Sequence, residues 1–172
     1  MSTETKSIEI KLSHERLISL LNYDAATGVF TWRRGRGPRA PAGRVAGAVG
    51  VRGYRTIRVD QADYRAGRLA WFYVHAKWPP SLIDHINGIR DDDRIANLRP
   101  ANHSQNNANA KRRSDQRAAK GVSLNSRTGK WTASVACNGR SKHLGSFDSM
   151  SAAARAYEAA AIALHGEYAR TE

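Results

Sequence analysis

Cysteine is almost missing from this chain of 172 residues, where Cys137 stands alone. No intramolecular disulfide can form, and a cysteine-built zinc site lacks its ligands. Acidic residues are also scarce: 15 Asp and Glu face 28 Lys and Arg, a formal net charge of +13 with neutral His. That surplus is clustered, and it points to a polyanionic partner. Nucleic acid comes first, because each phosphate contact releases condensed counterions. An anionic membrane surface comes second, but no basic amphipathic helix with large apolar residues is present to lie on one. A basic surface kept only for solubility would scatter its charge. No apolar run approaches the length of a membrane span. The opening MSTETKSIEIKLSHER has no apolar stretch of the signal-peptide kind, so the chain is expected to be intracellular and not secreted, with no membrane partner.

What is present divides into an N-terminal module over 1–112, a basic linker over 113–120 and a C-terminal module over 121–172. Residues 8–22 read as a short helix, with Ser13 as a possible N-cap and Leu17, Leu20 and Leu21 on one face. Residues 23–28 read as a turn and 29–32 as a strand, followed by an arginine-rich loop over 33–44. Residues 54–59 alternate as a strand whose buried side the pattern leaves open. Residues 64–76 read as a buried helix with Leu69, Phe72 and Tyr73 at helical spacing, stopped by Trp78-Pro79-Pro80. Residues 107–120 are polar and basic, either a helix end and linker able to follow a phosphate backbone or a solvated helix face.

The C-terminal module has its own logic. A strand starts at Gly121, and Arg127-Thr128-Gly129 makes a turn. Residues 130–137 alternate with Trp131, Ala133, Val135 and Cys137 on one face, and Asn138-Gly139 is a hairpin signal. Residues 142–147 form a third strand. Ser149 or Ser151 then caps an alanine-rich helix through Leu164 that Gly166 ends. Its alanines let the helix lie close to the sheet.

Residues 81–112 carry the chemistry. Phosphodiester hydrolysis needs a base for water, an electrophile for the developing charge and a scaffold that holds both in line. Asp84 and His85 are adjacent, so on a strand they point to opposite faces. Asp84 can then bind a metal if His85 addresses the substrate from another direction, or if the strand bends, and Asn87-Gly88 supplies a turn. Leu98-Arg99 returns as a second strand, and Asn102 with Gln105 completes a capping-box pattern. Asn106 sits in the first turn of the helix that follows, so a strand pair and a helix would bring Asp84, His85 and Asn106 together. Asp91, Asp92 and Asp93 are expected to be loop carboxylates pairing with Arg90 and Arg94, rather than a second metal cluster. His103 suits capping or a phosphate contact, and His75 reads as a satisfied core histidine.

The order His85, Asn97, Asn106 with Asp84 before it, the run Asp92-Asp93-Arg94-x-x-Asn97-Leu98-Arg99 and the pair Gln105-Asn106 resemble the HNH motif of phage homing endonucleases. The resemblance covers about residues 16–110 and implies a ββα-metal nuclease. It implies that His85 is the general base, that Asn97 holds the loop and orients His85, and that Asp84 and Asn106 bind one divalent cation, Mg²⁺ or Mn²⁺, with no structural zinc. It also implies 5′-phosphate and 3′-hydroxyl products. Two departures stand out. Asn106 occupies the position of a second histidine, as in the phage group. Gly67 precedes Arg68 where many relatives have His-Arg, which leaves Arg68 a phosphate or a structural contact. Double-stranded DNA is the expected partner, met by Arg55, Arg58, Arg68, Arg99, Lys111, Arg112 and Arg113.

Residues 119–168 resemble the plant ethylene-response-factor (APETALA-two) type of DNA-binding domain. Gly121-Val122, Gly129-Lys130-Trp131, Leu144-Gly145-Ser146-Phe147, the run from Ala152 to Tyr157, and Gly166-Glu167-Tyr168-Ala169 carry the likeness. That family lays its sheet in the major groove. The resemblance therefore implies that Lys120, Ser123, Asn125, Lys130, Ser134 and His143 face DNA, with Arg127, Arg140 and Lys142 near the backbone. Trp131 is either a core aromatic or a contact.

The expected fold class is α+β: an N-terminal ββα-metal module, a basic linker, and a C-terminal three-stranded antiparallel sheet packed on one helix. The expected function is a metal-dependent DNA endonuclease of homing type, a monomer on DNA, in the cytoplasm of a phage-infected bacterium. The rival is a non-catalytic, sequence-specific DNA-binding transcriptional regulator. An RNA-binding protein is disfavoured, because exposed aromatic stacking platforms are not evident.

Overall fold

The computed structural model describes residues 12–35, 37–111 and 118–171. The expectations for 8–11, for Arg112 and Arg113, and for linker positions 113–117 lie outside the described residues. The chain divides into two compact units between Pro100 and Ala101, so the second unit begins ahead of the expected linker.

The first unit opens with helix α1, His14–Leu20, whose N-cap Ser13 accepts from the Arg16 amide at 3.1 Å. The helix stops at Leu20 instead of running to residue 22. Strand β1, Leu21–Asp24, takes over and pairs antiparallel with β2, Val29–Trp32, Leu21 opposite Trp32 and Asp24 opposite Val29. The ladder satisfies these backbone groups, and it puts Leu21, Phe30 and Trp32 on one buried face. The expected turn at 23–28 is correspondingly shorter. Asp24 closes it by accepting from the Ala26 amide at 2.9 Å and from Thr27 Oγ1 at 2.8 Å.

Strands β3, Ala48–Val49, β4, Arg55–Val59, and β5, Ala62–Arg65, form an antiparallel sheet in that order. Ile57 and Val59 are buried, which settles the side the alternation left open. β5 absorbs the first two residues of the expected helix, because Tyr64 pairs with Ile57 and Arg65 with Thr56. Helix α2 is therefore Ala66–His75, and it ends on Ala76 in the left-handed region at φ 53. Leu69 and Phe72 enter a core with Leu12, Leu17, Leu21, Phe30, Ile57 and Leu98. Trp78 stacks on Phe72 with ring centroids 4.2 Å apart. Strand β6, Leu82–His85, hydrogen-bonds to β7, Leu98–Ala101, after a 3₁₀ turn over Ile95–Asn97.

In the second unit, helix α3, His103–Asn109, starts from the expected capping box: Asn102 accepts from the Gln105 amide, and Gln105 accepts in return from the Asn102 amide. Strands β8, Val122–Leu124, β9, Trp131–Cys137, and β10, Arg140–Phe147, form an antiparallel sheet in the order β10-β9-β8. Asn138 at φ 50 and Gly139 at φ 75 make the tight hairpin. Helix α4, Met150–His165, is capped by Ser149 and ends at Gly166. It packs on the sheet through Ala153, Tyr157 and Ala161 against Val122, Ala133 and Val135.

Helix α3 is tied into this unit. Ser104 Oγ accepts from the Asn138 amide at 3.0 Å, Lys120 Nζ donates to the Ala108 and Ala110 carbonyls, and Arg170 Nε donates to Asn109 Oδ1 at 3.3 Å. No helix among the described residues is long and apolar enough to cross a membrane.

Candidate active site

Strand β6 ends on the two residues that the sequence singled out, and both are buried, Asp84 at 4% exposure and His85 at 7%. Alternation along the strand gives each its own partner. Arg99, on the neighbouring strand β7, donates from Nε to Asp84 Oδ2 at 2.9 Å. His85 Nε2 lies 3.0 Å from Asp93 Oδ1. Tyr54 tilts against the imidazole with centroids 5.9 Å apart, and the Arg65 and Arg90 guanidinium groups lie 5.1 and 5.2 Å from the centre of the Tyr54 ring.

The three consecutive aspartates do not behave as one loop cluster. Asp92 pairs with Arg94, as expected, through two contacts of 2.6 Å. The Arg94 hydrogen bonds drive the Asp92 carboxyl down to about 2, burial opposing and the Asn87 hydrogen bond assisting. Asp93 was expected to pair with Arg90 or Arg94. It turns inward instead and meets His85, because its backbone is held against the core: Tyr23 Oη donates to the Asp93 carbonyl at 2.7 Å. Burial and the nearby Asp93 charge push the Tyr23 hydroxyl up to about 12. Arg90 donates to the Arg52 carbonyl at 2.9 Å.

Asn97 staples the loop between the strands. Its Oδ1 accepts from the Asn87 amide at 3.0 Å, and its Nδ2 donates to Asn87 Oδ1 at 3.1 Å and to the Asp92 carbonyl at 2.8 Å. The loop-holding part of its expected role thus has its geometry, while the carboxylate that engages the imidazole is that of Asp93. Asn106 lies half-buried in the first turn of α3, in the second unit.

No group of three or more His, Cys, Asp or Glu suited to a metal ion occurs among the described residues. The donor chemistry of the first unit still fits a hard divalent cation held mainly by water and substrate oxygens, since Asp84 offers a carboxylate. Arg99 donates to Oδ2 of Asp84, and a carboxylate is the donor type that a hard divalent cation takes.

The expected DNA contacts separate by burial. Arg58, Lys111, Arg127, Lys130, Arg140, Lys142 and His143 are exposed. Arg58 lies 3.9 Å from Asp63, and Lys130 lies 3.4 Å from Asp148. Arg55 is half-buried against the Gly47 carbonyl, and Asn125 accepts from the Arg127 and Thr128 amides to fix its own turn. Three residues are taken up inside the protein, Arg99 and Lys120 against the expected DNA contact and Arg68 in the structural one of its two expected roles. Arg68 is buried and donates to the Ser81 and Pro79 carbonyls, which makes it a structural contact. Arg99 is buried against Asp84. Lys120 is half-buried over the end of α3, and desolvation, with Arg170 adding repulsion, pulls its amine down to about 8. Each is placed against carbonyls or a carboxylate because its segment is closed over by packing.

Among the remaining candidates, His75 is exposed and packs on Trp71 at 4.1 Å, so it is not a core histidine. His103 is exposed at the start of α3, and Trp131 is partly buried against the second core. The sequence analysis gave Tyr23 and Tyr54 no place at the site and gave Asp93 only a loop pairing. A signal for Asp93 was Gly67, whose missing side chain leaves room beside His85 and Asp93: a Cβ there would lie 2.9 Å from Asp93 Oδ1 and 3.5 Å from His85 Nε2.

A family model described as HNH endonuclease matches residues 64–108, from β5 through most of α3. Over that span the chain is similar to nucleases of this family, which generally use a divalent metal. No curated protein and no solved structure matched the chain.

Proposed function

We propose that the chain is a metal-dependent DNA endonuclease that hydrolyses one phosphodiester bond per encounter, with His85 as general base and Asp84 as an anionic metal ligand. The observation that carries this reading is the pair itself. Two adjacent side chains at the end of β6 are buried, engage different partners and lie inside the segment similar to HNH endonucleases. Water attacks phosphorus as His85 takes its proton, the new P–O bond forms, and the bond to the 3′ oxygen breaks. The departing 3′ oxygen takes a proton from solvent, so the products carry a 5′-phosphate and a 3′-hydroxyl. Asp84, with Asn106 as the proposed second ligand, would hold a divalent cation, taken to be Mg²⁺ or Mn²⁺, which would supply charge neutralisation to the reaction. The second unit presents Arg127, Arg140, Lys142 and His143 at its surface and serves as the duplex reader, in the manner of the plant domain it resembles. A monomer carrying one such site nicks one strand. A phage homing origin is part of the same proposal.

The test is plasmid nicking by wild type and His85→Ala in Mg²⁺ or Mn²⁺, with gel-shift binding measured alongside. We expect wild-type nicking to fall by about 10²–10⁴-fold in the variant while binding persists. Wild-type binding without any cleavage under either metal sinks the nuclease reading and leaves the DNA-binding regulator.

A further inference from the structure

We infer that Asp93 is the positioning residue of this site: it sets the tautomer and the orientation of the His85 imidazole. The inference rests on the reading of His85 as general base. The contact is short and secluded, Nε2 to Oδ1 at 3.0 Å, with the two side chains 7% and 2% exposed. A carboxylate accepts and does not donate, so the proton on this edge of the ring belongs to Nε2. The lone pair of the neutral ring then resides on Nδ1, and that nitrogen takes the proton from water. The other tautomer would set two acceptors against each other in a site with almost no solvent.

Three separate segments close on Asp93, and each does so through a feature that a different residue would lose. From β1, Tyr23 Oη holds the Asp93 carbonyl at 2.7 Å. From the β1–β2 turn, Gly28 at φ +76 approaches so closely that a Cβ would lie 2.5 Å from the Asp93 carbonyl carbon. From α2, Gly67 borders the ion pair, and a Cβ there would lie 2.9 Å from Asp93 Oδ1. Asp93 Oδ2 is buried and has no hydrogen-bond partner among the described residues. An unsatisfied carboxylate oxygen weakens a fold, so packing alone gives no reason for an aspartate at this position. Fixing an imidazole edge does give one, since outer partners of a reactive histidine set its orientation.

The full-length chain is assayed as wild type, Asp93→Ala, Asp93→Asn and Gly67→Ala. Steady-state cleavage in Mg²⁺ or Mn²⁺ is combined with ¹⁵N spectra of the protein labelled in its histidine rings. Asp93→Ala should lower kcat by about 10–100-fold with KM unchanged. Asp93→Asn keeps an oxygen acceptor at Oδ1 and should recover most of that loss, whereas Gly67→Ala should mimic Asp93→Ala by pushing the pair apart. The His85 resonance should show the proton on Nε2 in wild type and a mixture of tautomers in Asp93→Ala.

A folded Asp93→Ala chain that cuts at the wild-type kcat overturns the inference, as does a wild-type spectrum with the proton on Nδ1. If Asp93→Ala does not fold, the rates of Asp93→Asn and Gly67→Ala and the wild-type spectrum still decide. A wild type that never cuts sinks the nuclease reading by itself, whereas a wild type and an Asp93→Ala variant that cut equally overturn this inference alone.

Discussion

At the residue scale, Asp84 and His85 are adjacent in sequence but separate in environment. A strand sends consecutive side chains to opposite faces, and at the end of β6 one meets a guanidinium and the other a carboxylate. Charge therefore has two distinct consequences at position 84. Asp84→Asn keeps shape and an oxygen that can accept from Arg99 but removes the counter-charge of a buried guanidinium, so cleavage should be lost and stability should fall. Asp84→Ala removes the acceptor as well, and should destabilise the fold by about 3–5 kcal/mol in denaturant titration. Wild-type stability in Asp84→Ala would contradict the buried pairing. The Asp84-His85 dipeptide was legible in the sequence because motif spacing is local. The Asp93 contact was not, because three consecutive aspartates read as a polar loop. Which of them turns inward is decided by Tyr23, Gly28 and Gly67, all distant in the chain.

At the element scale, the loop between β6 and β7 is a small polar structure of its own, held by Asn87, Asp92, Arg94 and Asn97. Asp92 ionises at about 2 in the fold against the ordinary 3.8. Its folded value lies below its unfolded one, so its stabilisation is complete above the ordinary value and is lost as pH falls through about 2. Urea midpoints for wild type should drop across that window more steeply than those of Asp92→Asn. Parallel curves would show that the Arg94 pair contributes nothing.

The second unit carries the opposite case. Lys120 titrates near 8 in the fold against 10.5 free, so between those values the unfolded chain binds more protons and stability rises with pH. Lys120→Met should flatten that rise, as read by melting temperature. Hairpin, caps and the alanine-rich helix were legible from local chemistry. The exchange of helix for strand at residues 21–22, and of turn for strand at 23–24, was not. Leu20 and Leu21 fit a helical stripe, and only pairing with residues 29–32 favours the strand.

At the scale of the whole molecule, a formal net charge of +13 is what a phosphate backbone meets first. If about six phosphates are contacted, log K should fall against log salt with a slope near −5. A slope near zero, measured by fluorescence anisotropy on a duplex, would remove the electrostatic part of the account. The basic excess predicted a polyanion, but composition does not say which cations reach it. Arg68, Arg99 and Lys120 are taken up by the protein itself. Burial is a property of the fold and leaves no mark on the count.

In the proposed reaction the His85 imidazole takes the proton from the attacking water. The most direct measurement is chemical rescue: single-turnover cleavage of duplex DNA by His85→Gly in Mg²⁺ or Mn²⁺, with and without free imidazole. His85→Gly should lose at least about a hundredfold in rate, part of which imidazole restores in proportion to its concentration. Cleavage by His85→Gly at the wild-type rate, indifferent to imidazole, would contradict it.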